Sequence, residues 1–130
     1  MEVILLVEPD YQNKYPPLGL MKIATYHKNK GDRVEFYKGM APYTLISKVN
    51  RVYITTLFTF YYDITVGTIN HYLQYIDNDN IFVGGIASTL LYDEFKASTG
   101  INNIITGQLT NSSMIGYSDN VNIDTLSLDY

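Results

Sequence analysis

Val3-Ile4-Leu5-Leu6-Val7 is an unbroken apolar run, β-branched at both ends. A strand with one wet face alternates apolar and polar residues. A run like this one must be covered on both faces, which is the situation of a strand inside a parallel sheet. Placing it there obliges the rest of the chain to supply parallel neighbours and helices for both faces.

The chain supplies them in order. Pro9 stops the run, and Pro16-Pro17 extends the connection to Leu18-Gly19. From Leu18 to Lys30, the residues Leu20, Met21, Ile23, Ala24 and Tyr26 form a helical stripe with lysines between them, and Gly31 stands where a helix end favours glycine. Arg33 to Tyr37 alternates as a second strand, and Tyr43 to Val49 fits a short helix. Val52 to Thr56 is the third strand, followed by an aromatic loop from Leu57 to Tyr62. Asp63 is placed to cap a helix over Ile64 to Ile76, in which Ile64, Gly67, Thr68, His71, Tyr72 and Tyr75 share one side. Ile81-Phe82-Val83 gives a fourth strand ending in Gly84-Gly85, and Ser88 to Ser98 a helix ending at Gly100. Asn103 to Thr106 gives a fifth strand ending at Gly107. Strand and helix patterns alternate five times with short connections, which specifies a three-layer α/β domain around a doubly wound parallel sheet. The expected strand order is 2-1-3-4-5, with Glu8, Thr56, Gly84 and Gly107 near one edge of the sheet.

The 130 residues suit a single core, and with 46% apolar and 17% charged residues a packed interior is available. A net charge of −4 argues against nucleic acid, which needs a basic stripe. Lys22, Lys28 and Lys30 come nearest to one, and on an amphipathic segment they read as a solvated face. The absence of Cys removes disulfides, thiolate metal sites and Cys nucleophiles. No signal-peptide pattern opens the chain and no apolar run approaches bilayer length, so the expectation is a cytoplasmic protein with no membrane partner. Residues 110–130 differ: several Asn, Ser and Asp residues precede an apolar-polar alternation from Val121 to Tyr130. They are expected to be an extended tail, poorly anchored after about Asn120 or borrowed by a neighbouring molecule, and the chain to be a fragment that continues beyond Tyr130.

Ligands of open α/β sheets bind beyond the carboxyl ends of the strands. That surface comprises Glu8 to Tyr15, Thr55 to Phe60, Gly84 to Thr89 and Gly107 to Thr110. Glu8-Pro9-Asp10-Tyr11-Gln12-Asn13 holds no glycine, which excludes a dinucleotide-binding loop and a P-loop. The same loop is acidic and aromatic where a flavodoxin has hydroxyls. Thr55 or Thr56 stands where a phosphoacceptor receiver has Asp. What survives is Thr55-Thr56-Leu57 at one strand end and, after 26 intervening residues, Gly84-Gly85 at the next. A hydroxyl beside two glycines makes a slot where a flat ligand can meet bare backbone.

This spacing resembles the later parts of the cobalamin-binding signature, Asp-x-His-x-x-Gly followed by Ser-x-Leu and Gly-Gly. The first part departs from it: Glu8 stands for the Asp, Asp10 for the His and Asn13 for the Gly, so no lower axial imidazole is supplied. The longer resemblance is to the N-terminal cobalamin (B12)-binding-like domain of radical S-adenosylmethionine enzymes. It rests on Pro16-Pro17-Leu18-Gly19-Leu20, Gly31-Asp32-Arg33-Val34, Thr55 to Phe60, Val83-Gly84-Gly85-Ile86-Ala87 and the Gly107 turn. The resemblance implies a cobalamin-binding-like domain over residues 1–109, with a corrinoid as the possible cofactor. Residues 110–130 would be a linker to a missing radical SAM domain, and that domain would be the partner. The Fe–S cluster and S-adenosylmethionine would belong to it, since its cluster cysteines have no counterpart here. The candidate cofactor-binding residues are Glu8, Asp10, Thr55, Thr56, Leu57, Gly84, Gly85 and Gly107, with no catalytic or metal-ligating residue.

Plainer readings stand beside these. Thr55 and Leu57 can simply end a strand, and Gly84-Gly85 can mark a tight strand-to-helix turn. Glu8 and Asp10 form either an acid-base pair or a solvated loop. His27 and His71 lack a partner at ligand spacing and read as surface or boundary residues. Phe58, Phe60, Tyr61 and Tyr62 stack on a planar ligand or pack against a neighbouring domain. The rival function is a cofactor-free docking module of the same fold; a free-standing enzyme lacks a nucleophile–base pair, metal set or phosphate loop.

Overall fold

The structure is a computed structural model and describes residues 1–11, 17–56 and 61–126. Five strands, β1 (Val3–Glu8), β2 (Arg33–Lys38), β3 (Arg51–Thr56), β4 (Ile81–Gly85) and β5 (Asn103–Ile104), form one sheet in the order β2-β1-β3-β4-β5. Every pairing is parallel. The register sets Ile4 beside Arg51, Thr55 beside Gly84 and Thr56 beside Gly85. Glu8, Thr56 and Gly85 therefore end their strands at the same edge. This is the flavodoxin-like, doubly wound α/β fold.

The apolar run of β1 is buried on both faces, with no exposed surface on Ile4, Leu5, Leu6 or Val7. Because side chains alternate along strands, two half-cores result. Leu5, Val7, Val52, Ile54, Ile81 and Val83 face α3 (Tyr62–Leu73) and α5 (Tyr92–Thr99), where Ile69, Tyr72 and Phe95 meet them. Ile4, Leu6, Tyr53 and Phe82 face α1 (Leu18–Asn29), which contributes Leu20, Ile23, Ala24 and Tyr26. Two shorter helices, α2 (Tyr43–Ile46) and α4 (Ile86–Leu90), complete the alternation.

Three elements depart from the sequence reading. The helix over Ser88 to Ser98 is two helices, broken at Leu91 (φ −117°, ψ 35°), which leaves Leu90 exposed and Phe95 fully buried. In α3 the buried side is Thr65, Thr68, Ile69 and Tyr72, while Ile64 is exposed and Asp63 lies in the first turn instead of capping it. Thr65 and Thr68 donate their hydroxyls to the carbonyls of Tyr61 and Ile64. With polarity satisfied inside the helix, a threonine packs like valine, and a hydropathy pattern does not register this.

The third departure is the C-terminal segment. Residues 111–126 are not loose: they fold over the α1 face with two 3₁₀ turns, Ser112–Ile115 and Ile123–Thr125. Ile115 and Ile123 are both fully buried in the α1-side core. Ser112 and Val121 share a backbone hydrogen bond, as do Ile123 and Thr110. The segment fills the groove beside α1, where apolar surface of the sheet would otherwise face water. Residues 127–130, the end of the expected tail, lie outside the described residues.

Candidate functional site

A cavity of about 860 Å³ opens at the carboxyl ends of the strands, on the α1 face of the sheet. It sits there for a topological reason: β1 leads to α1 on one face and β3 to α3 on the other, so the strand order reverses between them. Its floor is built from positions that continue the alternation of one sheet face, with Glu8 after Leu6, Thr55 after Tyr53 and Gly84 after Phe82. Leu20 and Ile23 of α1 form one flank, and Ile105, Gln108 and Leu109 the other. The lining is almost wholly apolar.

Of the residues singled out by sequence, Glu8, Thr55, Thr56, Gly84, Gly85 and Gly107 line this cavity together. Asp10 does not: it is exposed and packs its Cβ against Gly39 beyond the end of β2. Leu57, like Phe58 and Phe60 of the aromatic loop, lies outside the described residues. Glu8 pairs with Lys38 across the β1–β2 edge at 3.6 Å, which makes it a surface ion pair.

The two glycines have different reasons to be glycine. A side chain on Gly85 would begin 2.0 Å from the Thr56 carbonyl oxygen, and its φ of +115° is itself glycine territory. Gly85 is bare because β3 lies against it. A Cβ on Gly84 would instead meet Ile105 Cβ at an ordinary 3.5 Å, at the cavity wall. The bare backbone available to a ligand is therefore Gly84.

The hydroxyls around this turn are already engaged. Buried Thr56 donates to the Gly84 carbonyl (3.0 Å) and accepts from the Ser88 amide (2.9 Å). Ser88 donates to the Gly85 carbonyl, and Thr89 both donates to that carbonyl and accepts from the Gly107 amide. These bonds fix the turn before any ligand arrives. Thr55, half-buried, has no side-chain hydrogen bond among the described residues and is the hydroxyl left for a ligand.

His27 is internal to the fold, which corrects the reading of it as an unpartnered surface or boundary residue, whereas His71 stands at the boundary. His27 has no exposed surface; its Nδ1 meets Asp32 Oδ2 at 2.8 Å and its Nε2 meets Tyr53 Oη at 2.8 Å. Burial holds its pKa below the ordinary value, against the pull of Asp32. The neutral ring donates from Nδ1 to the carboxylate, so Nε2 accepts from Tyr53, whose oxygen accepts in turn from Arg51 at 3.2 Å. Burial pushes the Tyr53 hydroxyl well above its ordinary range, so it stays protonated. The partner carboxylate lies five residues along, across the helix end, where a search at helical spacing does not look. His71 is half-buried and bonds the Ala41 carbonyl at 2.7 Å, away from the cavity. Among the described residues, no three His, Asp or Glu groups gather to hold a metal ion, and no helix is long and apolar enough to cross a membrane.

Tyr53, Phe82, Leu20, Ile23, Ile105 and Leu109 were not marked by the sequence as site residues. Only the alternation of β3 and β4, extended past the strand ends, could have placed Tyr53 and Phe82 under Thr55 and Gly84. Comparison with known proteins adds no further constraint: no family model matches the chain, and no curated protein matches its sequence.

Proposed function

We propose that this chain is the cobalamin-binding-like N-terminal domain of a radical SAM protein, non-catalytic by itself, holding a corrinoid without a protein histidine on cobalt. The observation that carries the reading is the apolar cavity with Gly84 as bare backbone in its floor. A cavity of this size, with aromatic and aliphatic walls and few polar groups, suits the face of a large, flat ring whose polar substituents lie at its rim. Gly84 and Thr55 would touch the ligand, Tyr53 and Phe82 would floor it, and the Thr56–Ser88–Thr89 hydroxyls would hold the turn that presents Gly84. A bound corrinoid supplies carbon–cobalt chemistry; this chain's residues supply the seat and exclude water. Neither histidine lines the cavity, and each is hydrogen-bonded elsewhere. Iron–sulfur and S-adenosylmethionine chemistry would belong to a downstream domain of the parent protein.

The test is a titration of the chain with hydroxocobalamin, followed by visible absorption. Saturable binding is expected in the wild type and in Gly84→Ala, and its loss in Gly84→Leu, which drives a branched side chain into the cavity. In the reduced complex, isotopic labelling of the protein's nitrogen should leave the cobalt spin-resonance spectrum unchanged. A labelled-nitrogen splitting would contradict the histidine-free assignment. Absence of binding, in this chain and in the full-length protein, favours the docking-module reading instead. That reading draws on the exposed Leu18, Ile86 and Leu90 at the cavity mouth.

A further inference from the structure

The two flanks of the cavity on the α1 face are tied to each other by one carboxylate. Asp124 Oδ1 accepts from Lys22 Nζ at 2.8 Å and from Gln108 Nε2 at 2.7 Å. Lys22 stands on α1 between Leu20 and Ile23, which line one flank; Gln108 itself lines the other, beside Leu109. Asp124 belongs to neither wall. It reaches the two flanks from the C-terminal segment, just after the buried Ile123.

The rest of that segment is anchored at its far end. Asp119 accepts from Tyr26 and Ser112, the Ile115 carbonyl accepts from Arg51 at 2.6 Å, and Tyr117 donates to Glu2. Lys30 lies 3.6 Å over the Tyr117 ring. These contacts bind the segment to the opposite end of the sheet from the cavity. The near end holds through buried Ile123, the packing of Leu126 and the Asp124 bonds. A strap fixed at one end and held by a polar bridge at the other opens at the bridge first, because partly exposed ion pairs are weak.

We propose that Lys22, Asp124 and Gln108 form a latch that closes the cavity between α1 and residues 105–109 and sets how fast its interior is reached. The proposal rests on that cavity being the ligand site, and its test is made independent of any ligand. The Lys22 and Asp124 side chains are 26% and 38% exposed, so salt must reach the latch. Hydrogen bonds from Lys22 and Gln108 hold the Asp124 carboxyl below its ordinary range, which keeps the latch charged at neutral pH.

The chain has no cysteine, so Ile105→Cys places a single thiol in the cavity wall. Ile105 is half-buried, so its basal labelling by iodoacetamide reports access past the closed latch and any acceleration reports opening. Adding Asp124→Asn or Lys22→Met should speed labelling about three- to ten-fold, as expected for losing a partly exposed, charge-assisted contact. Sodium chloride at about 0.5 M should speed the parent and leave the Lys22→Met form unchanged. A thiol at Ala87→Cys, buried on the opposite face, reports global opening and should not respond to Asp124→Asn. Equal labelling of Ile105→Cys with and without Asp124→Asn overturns the latch, and so does equal acceleration at Ala87→Cys. Faster labelling at Ile105→Cys alone supports the latch even where hydroxocobalamin fails to bind, a result that would remove the corrinoid and keep the gate.

Discussion

Replacing Gly85 by alanine should damage the fold far more than replacing Gly84, although the two are adjacent in the same turn. Gly85 sits at φ +115°, ψ −176°, a conformation that costs a residue with a side chain about 1–3 kcal/mol. The new Cβ would also lie 2.0 Å from the Thr56 carbonyl oxygen and 2.9 Å from its amide nitrogen, so the contact is with backbone that cannot rotate away. Separating Thr56 from Gly85 breaks the last register position of β3 and β4 and strains the Thr56 bonds to Gly84 and Ser88. Overpacking of this kind adds about 1–3 kcal/mol. The sum, about 2–6 kcal/mol, is a large share of the roughly 5–15 kcal/mol that holds a domain together. At Gly84 the nearest neighbour is Ile105 Cβ at 3.5 Å, an ordinary contact, and Gly84→Ala should cost less than about 1 kcal/mol. Thermal unfolding followed by circular dichroism separates the two cases. Gly85→Ala should melt about 10 °C or more below the parent, and Gly84→Ala within a few degrees of it. A Gly85→Ala protein that melts within about 3 °C of the parent would refute the reasoning and reopen Gly85 as a ligand contact.

Two further expectations concern parts of the fold that sequence did not disclose. Because burial holds His27 below its ordinary pKa, the unfolded chain takes up this proton first, near pH 6.5. Stability is therefore full above about pH 6.5 and lost as pH falls through the lower folded value; urea midpoints that stay flat from pH 8 to pH 5 would contradict the buried neutral imidazole. Ile123→Ala should cost about 2–5 kcal/mol, as for a filled core position, and hydrogen exchange should show residues 112–123 protected in the parent. Stability unchanged by Ile123→Ala would mean that the C-terminal segment is not part of the core.

The parallel sheet was legible because its evidence is local. A continuous apolar run, glycine at helix ends and alternation of two periods all lie within windows of about ten residues. Gly31, Gly100 and Gly107 indeed carry positive φ at the expected ends of elements. The same windows misjudged α3, where threonines carry the buried stripe, and they ran α4 into α5 across Leu91. In the site, sequence brought Glu8, Thr55, Thr56, Gly84, Gly85 and Gly107 to one cavity, because strand ends follow from strand assignment. It placed Asp10 there too, and failed, because two residues past the strand the chain has already turned toward Gly39.

What stayed hidden is held by pairs that no window joins. Lys22 meets Asp124 across 102 positions, Tyr26 meets Asp119 across 93, and Glu2 meets Tyr117 across 115. Each pair unites a residue in the first quarter of the chain with one in the C-terminal segment, and all of them lie on the α1 face. A tail judged by its own composition looks like a linker, since Asn, Ser and Asp make up nearly half of it and most of its apolar residues stand singly between polar ones. Yet those polar residues are spent inside the fold: Asp119, Ser112 and Asn111 bond their neighbours, which lets Ile115 and Ile123 be pressed onto the sheet. The segment thus acts as the last layer of the domain, built from turns instead of a helix. It runs from the cavity flank at Leu109 and returns to that flank at Asp124, which bonds Gln108. A force applied along the chain near Leu126 would therefore load the packing of Leu126 and the Lys22–Asp124 pair, and through that pair the gap between α1 and residues 105–109.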